Sequence, residues 1–366
     1  MQKKYFIHLI AAARPNFMKI APLYHALKQE NWAEPKIIHT GQHYDPKMSD
    51  AFFQDLNLPA PDVHLGIGSG SHAEQTGQVM IAYEKLIMDH HPDLVIVVGD
   101  VNSTMAVSIA AVKQGLSVAH LESGLRSFDN TMPEEINRII TDRICHYLWT
   151  PSVDADANLI AEGIPKTRIH CVGNIMIDAL EMSRSKIEKM NTAQVLHLSD
   201  KPFGLITLHR PSNVDEYQSL KTIVDCFLQL SKQISLFFPV HPRTEKQLKK
   251  FQLYDLLDHS QDIILHEPMP YIPFMNMVFH AKLVITDSGG IQEETTYLGI
   301  PCLTLRENTE RPITITQGTN RLCTIDNLEA TVKESLLKPA NDRKIPQLWD
   351  GKTAQRLVKE IHSIMQ

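Results

Sequence analysis

Residues 120–138, HLESGLRSFDNTMPEEINR, set three glutamates and two arginines between an apolar run, Leu116–Leu121, and an amphipathic stretch, Ile136–Ile144. The run reads as a buried strand and the stretch as a helix. A carboxylate at a strand end, partly desolvated and close to cations, is placed to carry a proton. Glu122 ends the apolar run and Arg126 follows four residues later, so that chemistry centres on Glu122. Pro133 suits a first helical position, with Glu134 and Glu135 in the first turn offsetting the positive helix end. Those two glutamates are accounted for without chemistry; Glu122 is not.

Four other stretches carry polar groups in the same setting. TDSGGIQEETTYLG (286–299) runs a strand into Ser288-Gly289-Gly290 and then a helix, so bare amides and the positive helix end converge on one point. That arrangement receives a phosphate or diphosphate. Glu294, one turn into the helix, can accept hydrogen bonds from ribose hydroxyls. The plain alternative is a tight turn with Glu293 and Glu294 complementing the helix dipole. AARPNFMKIAPL (12–23) repeats the logic with Arg14 and Lys19, where Arg suits bidentate phosphate contacts. VVGDVNSTMA (97–106) ends a strand on Asp100, which taken alone reads as a helix cap. TLHRPSN (207–213) supplies His209 and Arg210 at another strand end. GIGSGSH (66–72) lacks the third glycine of a dinucleotide fingerprint and follows no clean strand, so it reads as a loop.

The elements that must position these groups form two series. YFIHLIAA, PKIIHT, DLVIVVGD, LSVAHLE and YLWTPS alternate with amphipathic helices, and FGLITLHR, SLFFPVHP, DIILHEP, KLVITDSGG and IPCLTLRE resume the rhythm. Continuous apolar strands, each followed by a helix, indicate parallel sheets covered on both faces. The expectation is an α/β chain of two Rossmann-like doubly wound domains facing a cleft. The boundaries expected are 1–175 and 176–351, with a C-terminal helix at 352–366 that packs on either domain. Ligands of such sheets bind beyond the carboxyl ends of the strands. Arg14, Gln42-His43, Asp100, Glu122, His209, His241 and Ser288-Gly289-Gly290 all fall there.

Composition bounds the function. The 366 residues are 43% hydrophobic and 21% charged, as in a soluble globular protein, and contain no apolar run of bilayer-spanning length. The short apolar start is cut by Arg14 and Pro15, which argues against a signal peptide. A net charge of −6 without a basic stripe argues against nucleic acid as partner. Five scattered cysteines without a CxxC pair suit a reducing cytoplasm and no structural zinc. The eighteen histidines show no metal-binding spacing.

ARPNFMK, TGQHYD, GDVNST, HLESGLRS, MPEEINR, TLHRP, VHPRT, TDSGGIQEE and ENTERP, in this order, resemble the non-hydrolysing UDP-N-acetylglucosamine 2-epimerase family from Arg14 to Arg311. The resemblance implies a fold of the glycosyltransferase-B type with the nucleotide sugar bound between the domains. It also implies a cytoplasmic homodimer, no metal or NAD, and a role in polysaccharide synthesis. The implied reaction is reversible epimerisation at C2 by elimination and re-addition of UDP through a 2-acetamidoglucal. Asp100, Glu122, Glu134 and His209 match the family's catalytic positions. Arg14, Lys19, Ser288, Gly289, Gly290, Glu294 and Arg311 match its substrate contacts, and Phe274 lies where the family packs the uracil. Three features depart from the family pattern: Ser212 replaces a common glutamate, Met269 a glutamine near the base, and TGQHYDPKMSDAFF differs from the loop of members regulated by a second substrate molecule. The form GLRSF…MPEEINRI.TD is similar also to relatives acting on UDP-2,3-diacetamido-2,3-dideoxyglucuronate. A hydrolysing 2-epimerase, releasing UDP and N-acetylmannosamine, is a further alternative.

Overall fold

The structure, a computed structural model, describes residues 4–41, 53, 55–198, 201–337 and 344–366. The chain divides into two compact units, 1–183 with 347–366, and 184–346.

The first unit is built from β1 (Tyr5–Ala11), α1 (Arg14–Lys28), β2 (Ala33–His39), β3 (Val63–His64), α2 (His72–Asp89), β4 (Leu94–Val98), α3 (Asn102–Lys113), β5 (Val118–Leu121), α4 (Pro133–Ile144), β6 (Tyr147–Thr150), α5 (Val153–Ala161), β7 (Ile169–Cys171) and most of α6 (Ile175–Glu188). Its sheet is wholly parallel, in the order β3-β2-β1-β4-β5-β6-β7. β4, LVIVV, is buried at every position, as a strand covered on both faces must be. On one face Ile10, Val95 and Val97 meet Val79, Tyr83 and Ile87 of α2 and Val107 and Ala111 of α3. The residues 65–71 form a loop that ends in a capping box: Ser71 Oγ accepts from the Glu74 amide and Glu74 from the Ser71 amide.

The second unit comprises α7 (Thr192–Val195), β8 (Phe203–Thr207), α8 (Pro211–Val214), α9 (Tyr217–Leu230), β9 (Ser235–Pro239), α10 (Pro242–Lys250), α11 (Tyr254–Asp258), β10 (Ile263–His266), α12 (Tyr271–His280), β11 (Leu283–Thr286), α13 (Gly290–Leu298), β12 (Cys302–Leu305), α14 (Ile313–Thr316), β13 (Asn320–Cys323) and α15 (Ile325–Leu337). Its parallel sheet runs β10-β9-β8-β11-β12-β13. Ile206, Phe238 and Ile285 pack there against Leu220 and Phe227 of α9 and Leu328 and Val332 of α15. The last helix, α16 (Thr353–Met365), belongs to the first unit, where His362 stacks on Trp32.

Both sheets therefore grow outward in both directions from a central strand pair, β1 beside β4 and β8 beside β11. These pairs are topological switch points. The loops leaving them diverge to opposite faces and open a crevice at the strands' carboxyl ends. Among the described residues no helix is long and apolar enough to cross a membrane, and no group of three or more His, Cys, Asp or Glu is set to hold a metal ion.

Candidate active site

In the first unit, the switch point gathers the loops after β1 and β4 with the end of β5. Asn16 fixes the first loop: its side-chain oxygen accepts from the amides of Ala12 and Ala13, and its amide group donates to the Val98 carbonyl at 3.0 Å. Lys19, one turn into α1, is thereby aimed at the end of β5, where its ammonium pairs with the Glu122 carboxylate. The two side chains are only 10% and 7% exposed. Glu122 has φ +74°, a conformation costly for a residue with a side chain, and it is held there by its amide's bond to the Trp149 carbonyl. Gly99 covers the pair. It has φ +71°, and a Cβ there would come 3.2 Å from Lys19 Nζ and 3.6 Å from Glu122 Oε2, so a bare Cα is what allows the approach.

Asp100 follows Gly99 directly. It does not cap α3, whose N-cap residue is Val101 and has no side-chain cap; the reading of Asp100 as a cap is corrected. Its carboxylate instead receives Arg138 Nη1 at 2.5 Å, and its carbonyl accepts from Asn137. Arg138 is also bonded to Glu135, which accepts the amides of Ser127 and Phe128. Burial opposes ionisation of Glu135, but these amides and Arg138 prevail and hold its carboxyl below the usual range. Glu135 is thus a buried structural anion, whereas Glu134 is exposed on the first turn of α4. Arg14, the first residue of α1, is exposed as well. Gln42-His43 lie outside the described residues.

Beneath this site runs a second buried chain. His120 reaches the Gly99 carbonyl through Nε2 at 2.9 Å and Asp142 through Nδ1 at 2.6 Å; Asp142 also takes Arg126, whose other face grips Glu162. Arg126 is therefore spent on holding the loop after β5.

The second unit repeats the plan around a carboxylate that the sequence reading passed over. Asp287, fully buried, accepts the amides of His209 and Arg210, the Asn213 side chain at 3.1 Å, and His209 Nδ1 at 2.9 Å. Burial raises its pKa, but the His209 contact and these donors hold it below the ordinary value. The clasp orients a His209 ring that is 43% exposed and 5.5 Å from the ring of His241. Its signal in the sequence was position, directly ahead of the Ser-Gly-Gly turn.

Gly289 precedes α13 and lies so close to Arg311 that a Cβ would sit 2.8 Å from Nη1. Arg311 is locked by Glu293 at 2.9 Å and Glu310 at 3.2 Å, and Glu310 by Arg306 at 2.8 Å. Glu293 is thus buried in an ion pair, beyond a role in complementing the helix dipole. Glu294 faces Tyr271, whose hydroxyl donates to Oε1 at 2.8 Å. Burial, with Glu293 nearby, pushes the Glu294 carboxyl up to about 7 despite that hydrogen bond. Phe274 is half-buried on α12. Ser288, Gly289, Gly290, Glu294 and Arg311 are all brought to one end of β11 and α13, next to His209.

Two doubly wound units, one with a buried lysine–glutamate pair at its switch point and one with a Ser-Gly-Gly turn running into a helix there, place the chain in the two-Rossmann class. Residues 25–362 match the family model for UDP-N-acetylglucosamine 2-epimerase, and the chain belongs to that family. It is 42% identical over 360 residues to the UDP-N-acetylglucosamine 2-epimerase of Methanocaldococcus jannaschii, covering 96% of this chain and 98% of the relative. The crystal structure of the Methanocaldococcus jannaschii UDP-GlcNAc 2-epimerase in complex with UDP-GlcNAc and UDP superposes with a TM-score of 0.89 at 41% identity, covering 98% and 99% of the two chains. The UDP-2,3-diacetamido-2,3-dideoxy-D-glucuronate 2-epimerase of Pseudomonas aeruginosa is 35% identical over 356 residues, covering 96% and 97%.

Proposed function

We propose that the protein interconverts UDP-N-acetylglucosamine and UDP-N-acetylmannosamine without net hydrolysis. The observation that carries this reading is the buried Lys19–Glu122 pair under Gly99, with Asp100 as the next residue. The proton at C2 of a 2-acetamido sugar has no carbonyl to acidify it, so no enolate can form. Elimination of UDP across C1–C2 removes the need: the C2–H electrons form the C1=C2 double bond as the C1–O bond breaks to the diphosphate. Delivering a proton to C2 from the other face, as the diphosphate oxygen re-forms its bond to C1 on the face it left, gives the epimer.

The two faces of the glucal require proton carriers on both, and Asp100, Glu122 and Glu134 are the carboxylates available for them. Lys19 keeps Glu122 oriented. In the second unit the Ser288–Gly290 amides, His209 and Arg311 take the diphosphate, whose charge grows as the C1–O bond breaks; donors fixed in advance stabilise it without reorganisation. Phe274 packs the uracil and Glu294 takes the ribose. Arg14, exposed at the positive end of α1, is the first unit's own cation for a substrate anion. The working form in this reading is a cytoplasmic homodimer that needs neither metal nor NAD.

The test is Glu122→Gln. It should bind UDP as the wild type does while kcat falls by about 10²–10⁴, the share typical of a positioned proton carrier. Interconversion at wild-type rate would refute the assignment. In deuterium oxide the wild type should place deuterium at C2 of both isomers, with free UDP remaining trace. Accumulating UDP would instead indicate a hydrolysing enzyme. UDP-2,3-diacetamido-2,3-dideoxyglucuronate, offered alongside, should turn over with the lower kcat/KM.

A further inference from the structure

We propose that Tyr271 is a positioning residue for nucleotide recognition: its hydroxyl holds Glu294 as the acceptor for the ribose hydroxyls and ties nucleotide affinity to the ionisation of that carboxyl. The inference rests on the uridine-nucleotide reading above and deepens it.

The geometry comes from two helices. On α13, Glu294 lies four residues after Gly290, so it stands on the same helix face as the Ser-Gly-Gly turn, one helical turn further in. On α12, Tyr271 is the first residue and Phe274 the fourth, again a shared face. Tyr271 therefore joins the expected base platform to the carboxylate below the anion cradle. Its hydroxyl donates to Glu294 Oε1 at 2.8 Å. The carboxylate is 5% exposed, so its rotamer and its charge are both governed by this one phenol and by Glu293, which is itself occupied by Arg311.

A vicinal diol donates two hydrogen bonds, and an ionised carboxylate is the acceptor that matches it. Burial and Glu293 oppose that ionised form, while the Tyr271 hydroxyl favours it, with the balance at about 7. Binding the diol therefore expels a proton from the fraction of molecules in which Glu294 is neutral. Affinity rises with pH through that range and then levels. Removing the phenol donor shifts the rise to higher pH.

The experiment is equilibrium dialysis of uracil-labelled UDP-N-acetylglucosamine and of its 2′-deoxyribose analogue against wild type and Tyr271→Phe. At each pH wild type and variant meet the same ligand, whose diphosphate keeps both of its negative charges throughout. Wild type should prefer the ribose form and gain affinity up to about neutrality. Tyr271→Phe should bind the ribose form about tenfold more weakly near pH 6.5, a typical loss for one hydrogen bond to a charged group. It should recover toward wild type by about pH 9 and discriminate less against the deoxy analogue. A loss equal at every pH and for both ligands would mean Tyr271 is merely structural, and an unchanged profile would mean it does nothing; either overturns the proposal. Wild type that binds neither ligand at any pH would instead overturn the nucleotide reading itself.

Discussion

Glu310 is 6% exposed between Arg306 and Arg311. Burial alone would raise its pKa, yet the attraction of Arg311 and then Arg306 carries it down from 4.5 to about 2. Because the folded value lies below the unfolded one, the contribution to stability is complete above pH 4.5 and disappears as pH falls toward 2. It is worth on the order of 3 kcal/mol. Arg306→Met should move the acid loss of stability toward pH 4.5 and cost about 3 kcal/mol at pH 7, as breaking a buried pair does. Urea midpoints measured across that range would check it, and an unshifted profile would disprove it. The same cluster shows what could be read from residue types. The Ser-Gly-Gly turn stood out because bare amides at a strand end have few structural uses, whereas Arg311 was reached only through the family resemblance. Asp287, Glu310 and Arg138 were overlooked: a buried carboxylate or guanidinium does its work through partners distant in sequence, such as Asp287 with His209, 78 residues away.

Caps show the same division at the scale of the element. Pro133 opens α4 as its sequence suggests, and the loop at 65–71 ends where Ser71 and Glu74 close a local capping box. The cap of α16 is different in kind. Lys352 supplies no side-chain cap; Asp178 of α6 accepts the Thr353 and Ala354 amides at 3.1 and 2.8 Å across 175 and 176 residues. No local pattern could reveal it. Asp178→Ala should cost about 1 kcal/mol and accelerate hydrogen exchange at Thr353 and Ala354, with Asp178→Asn intermediate. Unchanged exchange there would show that the cap contributes nothing. The strands divide similarly. Every strand read from a continuous apolar run is present, and the three that were missed, β3, β7 and β13, are all at sheet edges. An edge strand need not be apolar on both sides, and Val-His, Ile-His-Cys and Asn-Arg-Leu-Cys are short and half-polar.

At the scale of the whole molecule, the order of each sheet explains why chemistry-bearing residues recur at the switch-point strands β1, β4, β8 and β11 and at β5, the neighbour of β4 that ends on Glu122. A doubly wound sheet has one switch point, and two such sheets give two sites. The route of the chain then matters. It leaves the first unit within α6, after Ser183, builds the whole second unit, and returns at Gln347. The returning segment is bound to its unit by Trp349, which donates to the Pro151 carbonyl at 2.9 Å, by Arg356, which donates to the Val172 carbonyl at 2.6 Å, and by the Asp178 cap. Leu357 and Ile361 are fully buried there. Burying two such side chains is worth about 3–6 kcal/mol, a large part of the margin of an ordinary domain. The first unit, although synthesised first, is therefore completed last. A chain ending at Pro346 should show fast amide exchange in α1 and β7 while β8, β11 and α13 keep their protection. UDP should then slow exchange in α13 of the truncated chain as it does in the intact one. Equal loss of protection in both units would mean that they fold as one cooperative body and that the order of completion proposed here is wrong.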